Sequence, residues 1–208
     1  IKLVHNILSV FMAWKGIIQM KNLVLPKDYK SALSLRETQI AIKLIKDTFQ
    51  KKLSEALNLD RITAPIIVTS GSGINDDLNG VERKVTFTVK EMNGGECEVV
   101  QSLAKWKRMA LYRYGYEPDS GIYTDMNAIR RDDDMDNLHS IFVDQWDWER
   151  IITREERNTE FLKSVVKKIA SCVARTLEIV KKDFPSVSVN ISDDVTFVTT
   201  QELEDMYP

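Results

Sequence analysis

The stretch LHSIFVDQWDWER, residues 138–150, interleaves polar with apolar side chains. Because successive side chains of a β-strand point to opposite faces, this pattern predicts an extended segment with two different faces. Gln145 and Asp147 would share one face, and Trp146 and Trp148 would share the other. The plain interpretation is a solvated polar face above an aromatic core. The functional interpretation is a polar face that binds a ligand.

Around this stretch the sequence predicts helices mixed with antiparallel strands. Ser34 and Glu37 have the spacing of a capping box, and apolar residues then recur every three or four positions to about Leu57, as in an amphipathic helix. MNGG between VTFTV (85–89) and CEVVQ (97–101) predicts a β-hairpin, since Asn-Gly readily takes positive φ. Further strands are predicted at 61–68, 121–129, 138–148 and 195–200, and further helices at 102–114 and 154–183. This order lacks a βαβ rhythm and indicates an α+β fold with an antiparallel β-sheet core flanked by helices.

The composition is that of a folded, nearly neutral protein. Of 208 residues, 43% are hydrophobic, which is enough for the core of one domain. Twenty-nine basic and 31 acidic residues leave a net charge of −2, which argues against a dedicated nucleic-acid binder. Cys97 and Cys172, with 2 histidines, match neither a disulfide framework nor the spacing of a zinc site. A reducing, cytoplasmic location is expected, and no metal-ligating cluster is predicted.

The glycines exclude two common nucleotide-binding motifs. The sequence contains neither GxxxxGKS nor GxxxxGKT, and GSG at 71–73 lacks the third glycine and the following helix of a Rossmann fingerprint. Any bound nucleotide therefore requires a different phosphate-binding arrangement.

Three segments together resemble a known family. They are SGSGINDDLNG at 70–80, EVVQSLAKWKR at 98–108 and the stretch at 138–150. They resemble ammonia-dependent, AMP-forming asparagine synthetase (aspartate–ammonia ligase), which is built on the class II aminoacyl-tRNA synthetase fold. Arg130, followed by the polar loop 131–137 and a returning strand, is similar to motif 2 of that fold. The resemblance implies a class II synthetase-like catalytic domain.

Other parts of the chain determine how much of that domain is expected. The helix ending near Leu57, followed by a strand with Pro65, is similar to motif 1, which implies a homodimer. Proline at this position also indicates an edge strand. The glycine-rich motif 3 is missing, so 20–208 is interpreted as the N-terminal part of a C-terminally truncated domain. Residues 1–19 are interpreted as an extension outside the family, and the chain alone is expected to be inactive.

The resemblance implies a nucleotide site with ATP as substrate and Mg²⁺ as cofactor. It assigns nucleotide contacts to Arg130, Asp132, Asp133 and His139. An arginine suits an α-phosphate because its planar guanidinium is always charged and binds two oxygens at once. The plain interpretations are a surface arginine at a strand end, aspartates that only form a turn, and a histidine satisfied within its strand.

The resemblance also implies an aspartate-binding pocket. SLAKWKR places Ser102 at a predicted helix N-cap and Lys107 in the helix that follows. A dicarboxylic substrate needs cations, and Ser102 and Lys107 are assigned to this pocket, while Asp147 receives the substrate ammonium group. The plain alternative is a solvated basic helix face.

Catalysis is assigned by the resemblance to Asp76, Arg130 and Gln145. Asp76 lies in the glycine-rich loop and would take a proton from ammonium. Gln145 would hold the reacting carboxyl oxygen as negative charge builds on it. Asp77 stands where the family more usually has an amide, so either aspartate could be the base. Turn formation alone also explains two neighbouring aspartates in such a loop.

The implied activity is an aspartate–ammonia ligase that forms β-aspartyl-AMP from aspartate and ATP and then lets ammonia displace AMP. The implied partners are these small molecules and a second copy of the chain, with no nucleic acid or membrane. Two alternatives stay open. A tRNA-charging aspartyl or asparaginyl synthetase would share the fold, but should add an anticodon-binding domain and a basic tRNA face. A catalytically silent fragment that only dimerises is the other.

Overall fold

The computed structural model describes residues 23–24 and 26–207, so the interpretation of 1–19 as an extension lies outside the described residues. The elements are α1 (Leu35–Leu57), β1 (Leu59–Arg61), β2 (Ile67–Thr69), β3 (Thr86–Thr88), β4 (Glu96–Val99), α2 (Ala104–Arg113), β5 (Gly121–Ile129), β6 (Phe142–Arg150), α3 (Thr159–Asp183) and α4 (Thr200–Met206). Nowhere in this part of the chain does a helix combine the length and the apolar content needed to cross a membrane.

The larger sheet has the order β1-β5-β6. β5 and β6 pair antiparallel over their whole length, from Gly121 opposite Arg150 to Ile129 opposite Phe142, and β1 pairs parallel with β5. Gly121 is required at the start of β5, because a Cβ there would lie 2.3 Å from the carbonyl oxygen of Glu149. The strand predicted at 121–129 is therefore confirmed, and its partner is the stretch that carries the two tryptophans.

The smaller sheet has the order β2-β4-β3 and is antiparallel. The predicted hairpin is confirmed, with a 3₁₀ turn at Lys90–Met92 ahead of the reversal. Asn93 and Gly94 have φ values of 51° and 82°, as expected for an Asn-Gly turn.

One face of the larger sheet packs against two helices. In α1 the Ser34–Glu37 capping box is formed in both directions, as predicted. α1 and α3 then pack on Trp146 and Trp148, and the ring centroids of Phe49 and Trp146 lie 4.6 Å apart. The buried residues of this cluster are Phe49, Leu53, Leu57, Leu59, Tyr123, Val165 and Cys172. We call this side of the sheet the helix face.

The opposite side, the polar face, carries Thr124, Met126, Gln145 and Asp147 in adjacent positions of β5 and β6. Short apolar clusters frame it on two sides. Ala110 and Leu111 of α2 pack on Ile122, while Val100 and Leu103, before α2, pack on Met126 and Ala128. The antiparallel register thus places a core on one side of β6 and a polar surface on the other.

Three predicted boundaries were wrong. The strand at 61–68 is two short strands in different sheets, β1 and β2. β6 begins at Phe142 because Asp136 accepts hydrogen bonds from the backbone N–H groups of Leu138 and His139, both at 2.7 Å, and holds them in a loop. α3 begins at Thr159 because the Asn158 side chain accepts the Phe161 N–H at 2.8 Å and caps the helix.

The strand predicted at 195–200 was also wrong. Thr199 caps α4, and Thr199 and Glu202 form a reciprocal capping box. Local capping bonds therefore prevailed over the β-propensity of a run of β-branched residues. The α+β fold class itself is confirmed, with helices and mostly antiparallel strands that lack a βαβ order.

Candidate active site

The polar face is set by the alternation of β6. Gln145 lies opposite Met126 and Asp147 opposite Thr124, whereas Trp146 and Trp148 pack into the helix-face core. The predicted division of these side chains between two faces is confirmed. The polar residues are therefore positioned by a strand whose other side is fixed in the core.

Lys107 and Asp147 form an ion pair at the centre of this face. The Lys107 side chain, from α2, is 0% exposed, and that of Asp147 is 22% exposed. The Lys107 Nζ donates to Asp147 Oδ1. A buried ammonium group is tolerated only with a counter-charge, so Asp147 is what permits a lysine at this position.

The unequal burial of the pair gives a testable asymmetry in stability. Asp147→Asn should lower the free energy of unfolding by about 3 kcal/mol, because it leaves the buried Lys107 ammonium without a counter-charge. Lys107→Met should cost less than about 1.5 kcal/mol, because Met fills a similar volume and Asp147 keeps its contact with water. Urea unfolding of the complete protein measures both. An Asp147→Asn loss no larger than that of Lys107→Met would contradict the argument.

Gln145 is half-buried and its amide is weakly satisfied. Its Nε2 donates to Met126 Sδ at 3.2 Å, and a thioether sulfur is a weak acceptor. Beside it, the buried Thr124 Oγ1 has no hydrogen-bond partner among the described residues. Buried polar atoms are normally paired, so these weakly satisfied atoms make the polar face a candidate ligand-binding surface.

The segment after β4 joins two loops to this face. Asn75, itself 2% exposed, donates to the Val99 carbonyl at 3.1 Å and accepts the Gln101 N–H at 2.7 Å. Arg130 Nη1 donates to the Gln101 carbonyl at 3.0 Å. The buried Gln101 Oε1 has no partner among the described residues. Gln101 thereby connects the loop that contains Asp76 with the end of β5 that carries Arg130.

The two candidate bases have different partners. Asp76 lies 3.6 Å from Lys105 Nζ, whereas Asp77 lies 2.7 Å from Lys84 Nζ. The hydrogen bond from Lys84 holds the pKa of Asp77 below its usual value. Lys84 is also 3.4 Å from the buried carboxylate of Glu98. Asp77 therefore forms an ion pair with the Lys84 ammonium group, which lies between Asp77 and Glu98.

Ser102 does not cap α2 in the predicted way. The helix begins at Ala104, and its N-cap is Leu103, which makes no side-chain capping bond. Ser102 stands one residue earlier, and its Oγ accepts the Ala104 N–H at 3.3 Å. The hydroxyl is half-buried and precedes the helix that carries Lys107.

The polar loop after Arg130 contacts the loop that precedes β3. Asp132 Oδ2 accepts the backbone N–H of Arg83 at 2.8 Å, and both Asp132 oxygens accept from the Arg83 guanidinium. This hydrogen bonding lowers the pKa of Asp132 to about 2. Arg131 Nη1 donates to the Lys84 carbonyl at 3.1 Å. Asp133 lies half-buried in the same loop.

His139 pairs with a carboxylate of its own loop. Its Nδ1 lies 3.0 Å from both oxygens of Asp136. The hydrogen bond to Asp136 raises the pKa of His139, and hydrogen bonds led by the Leu138 N–H lower that of Asp136 to about 2. Among residues 23–24 and 26–207, no group of three or more His, Cys, Asp or Glu side chains is placed to hold a metal ion.

The structure thus brings together Lys107, Asp147 and Gln145 on one face and connects the Asp76 loop to Arg130 through Gln101. Thr124 and Gln101 were not predicted from the sequence. The alternation of β5 could have placed Thr124 opposite a polar residue, but only the register shows that this residue is Asp147.

The chain is similar in sequence to proteins of one known family. A family model described as aspartate-ammonia ligase matches residues 36–208. The aspartate--ammonia ligase of Clostridium tetani is 56% identical over 188 residues, which cover 90% of this chain and 55% of the relative. The aspartate--ammonia ligase of Ruminiclostridium cellulolyticum is 56% identical, and the match covers 91% of this chain and 56% of the relative. That of Lactobacillus johnsonii is 52% identical, and the match covers 89% of this chain and 55% of the relative. The chain spans about half the length of the curated relatives it matches.

One solved structure is also similar. It is that of an ATP phosphoribosyltransferase regulatory subunit/histidyl-tRNA synthetase from Bacillus halodurans C, with 12% identity, a TM-score of 0.45, and coverage of 74% of this chain and 39% of the other.

Proposed function

Because the chain belongs to the aspartate–ammonia ligase family, we propose that the complete protein converts L-aspartate, ATP and ammonia to L-asparagine, AMP and pyrophosphate. The observation that supports this most is the Lys107–Asp147 pair, two opposite charges side by side on the polar face. Such a pair offers one partner to each charge of an amino acid. The family match also disfavours the tRNA-charging alternative.

Aspartate would bind by exchanging partners with this pair. The ammonium group of the substrate would bind Asp147, and one of the substrate's carboxylates would bind Lys107. The buried lysine would then always keep a counter-charge. Ser102, ahead of α2, and the unpartnered hydroxyl of Thr124 offer further hydrogen bonds. A substrate without a carboxylate would leave Lys107 unpaired and would be rejected.

Activation of the side-chain carboxylate comes first, because a carboxylate and ammonia do not condense at neutral pH. A β-carboxylate oxygen attacks the α-phosphorus of ATP, the bond to pyrophosphate breaks, and β-aspartyl-AMP forms. One N–H group of Arg130 donates to the Gln101 carbonyl, and this hydrogen bond fixes the guanidinium. The other N–H groups of Arg130 would be able to donate to an α-phosphate oxygen. When ammonia later attacks this adenylate, Gln145 would donate to the carbonyl oxygen, which gains negative charge as the tetrahedral intermediate forms.

Mg²⁺ would enter with ATP. It is usually held by one or two carboxylates together with substrate phosphates and water, so the half-buried Asp133 in the loop after Arg130 suits it. When bound, the ion would neutralise phosphate charge. His139, held by Asp136 at the far end of that loop, is proposed as a neighbour of the adenylate.

Ammonia then attacks the β-carbonyl carbon, and the bond between that carbon and the AMP oxygen breaks. The incoming ammonium must first lose a proton, and we assign this step to Asp76. Asp77 is the weaker candidate, because Lys84 holds it in an ion pair that favours its unprotonated, paired form. Arg130 donates to the Gln101 carbonyl, and Asn75, the neighbour of Asp76, accepts the Gln101 N–H. Asp76 and Arg130 would act on opposite sides of the adenylate.

The nucleotide products test the proposal. Given aspartate, ATP, Mg²⁺ and ammonium, the complete protein should form AMP and asparagine in equal amounts, because the nucleophile attacks the α-phosphorus. Chromatography of the nucleotides, with amino-acid analysis of the same samples, measures both. ADP in place of AMP would eliminate this mechanism, and no ammonium-dependent asparagine would eliminate the function.

A homodimer and a cytosolic location are also proposed. Ile66, which follows Pro65, and Ile67, the first residue of the edge strand β2, are 70% and 43% exposed, which favours an interface there. A complete protein that sediments as a monomer would contradict the dimer. Cys97 and Cys172 are both free thiols, in keeping with a reducing compartment. The inactivity of residues 1–208 alone stays a prediction.

A further inference from the structure

We propose that Asp132 is a positioning residue, which acts through Arg83 to hold the phosphate-binding loop against the loop that carries Asp76. This assignment rests on the proposed function, and it differs from the nucleotide contact expected from the sequence. We call the contact between these two side chains the Arg83–Asp132 clasp.

The clasp uses the full capacity of the carboxylate. Oδ1 of Asp132 accepts from Arg83 Nε at 3.0 Å and from Nη2, and Oδ2 accepts from Nε at 3.1 Å and from the backbone N–H at 2.8 Å. An ionised carboxylate has about four acceptor sites. Asp132 would therefore have to release the guanidinium, the backbone N–H or both before it could bind a cation. Its side chain is 21% exposed.

A second bond supports the same junction. Arg131, next to Asp132, donates to the carbonyl of Lys84, next to Arg83, at 3.1 Å. Two consecutive residues of one loop thus contact two consecutive residues of the other, and a paired junction of this kind resists rotation better than a single ion pair does. Arg130 immediately precedes it on the one side.

The other end of the clasp is anchored in the smaller sheet. Lys84 Nζ lies 2.7 Å from Asp77 and 3.4 Å from Glu98 of β4, whose side chain is 3% exposed. Asp77 directly follows Asp76. The dipeptide Arg83-Lys84 therefore connects the phosphate side of the site, through Asp132, with the ammonia side, through Asp77.

This connection predicts how function should respond when the clasp is lost. Neither Arg83 nor Asp132 needs to touch a reacting atom. Removal of the clasp should reduce the fraction of molecules in which the loop after Arg130 is correctly placed, and the apparent affinity for ATP falls with that fraction. We expect a rise of about fivefold in the KM for ATP, a small change in kcat and an unchanged Mg²⁺ requirement.

A double-mutant cycle in the complete protein tests the clasp. Arg83→Met, Asp132→Asn and the double variant should raise the KM for ATP by similar factors, so that the second substitution adds almost nothing. Asp134→Asn makes the same change of charge in the same loop, at a residue with no ion pair among those the structure describes. It should leave the KM for ATP unchanged.

Magnesium titration distinguishes the clasp from cation binding. A rise in the half-saturating Mg²⁺ concentration for Asp132→Asn but not for Arg83→Met would make Asp132 a cation ligand and overturn the proposal, as would additive effects of the two substitutions. If the unsubstituted protein forms no asparagine, the proposed function fails independently. The clasp is then tested by the same double-mutant cycle, with the midpoint of thermal unfolding as the measurement. Coupled effects of the two substitutions on this midpoint would support the clasp, and additive effects would overturn it.

Discussion

Asp76→Asn in the complete protein is expected to lower kcat for asparagine formation by about 10²- to 10⁴-fold, the usual contribution of a positioned base. Asparagine keeps the size of the side chain but cannot accept the proton that ammonium must lose. Since only ammonia attack needs that proton transfer, the formation of β-aspartyl-AMP should continue. Asp76 is half-buried and lies beside Lys105, so the substitution also leaves no buried charge unpaired.

Two assays on the same sample separate these steps. Aspartate-dependent exchange of labelled pyrophosphate into ATP reports adenylate formation, and ammonium-dependent asparagine release reports the second step. Asp76→Asn should retain the first activity and lose the second, and its residual activity should increase with pH as neutral ammonia becomes more abundant. Asp77→Asn is the matched control, because Asp77 already has Lys84 as its partner. A larger loss for Asp77→Asn would transfer the base role to that residue.

Gln145→Ala is expected to lower kcat by about 10²-fold or more, with a much smaller rise in the KM for aspartate. The reason is the weak partner of its amide, a methionine sulfur at 3.2 Å, which a developing negative charge would easily replace. An interaction that strengthens only in the transition state lowers kcat when it is removed.

Steady-state kinetics with aspartate varied at saturating ATP measures both constants. Like Asp76→Asn, Gln145→Ala should leave pyrophosphate exchange nearly unchanged, since negative charge builds on the carbonyl oxygen only when ammonia attacks the adenylate. Gln145→Glu, which keeps the shape but presents an acceptor in place of the donor, should be at least as impaired. Small, equal changes in kcat and KM for both variants would mean that this residue is merely solvated.

The sequence predicted those features that depend on neighbouring residues. The two faces of β6 follow from a period of two, and the start of α1 follows from the Ser34–Glu37 pair. The contacts that define the site join residues far apart in the chain. Lys107 and Asp147 are separated by 40 positions, and Arg83 and Asp132 by 49. Neither hydrophobic periodicity nor secondary-structure propensity predicts such pairs of residues, because the pairing depends on the sheet register and on how the loops pack together.

The errors have the same origin. The run at 195–200 has a strand-like composition, but the single bond pair between Thr199 and Glu202 starts a helix there. The apolar run at 61–68 does not show that the strand is interrupted at 62–66. The interruption arises because β1 and β2 belong to different sheets, in which each pairs with a strand from a later part of the chain. Ser102 looks like an N-cap by type, yet the helix begins one residue later than that cap requires.

The antiparallel register of β5 and β6 also constrains how this segment can change in length during evolution. Inserting or deleting one residue within Phe142–Arg150 would exchange the two faces for every position beyond the change. Trp148 would then project onto the polar face, and Asp147 into the aromatic core. Natural variation in this segment should therefore consist of substitutions alone, with gained or lost residues confined to the loop at 131–141. A family alignment can be examined directly for that pattern.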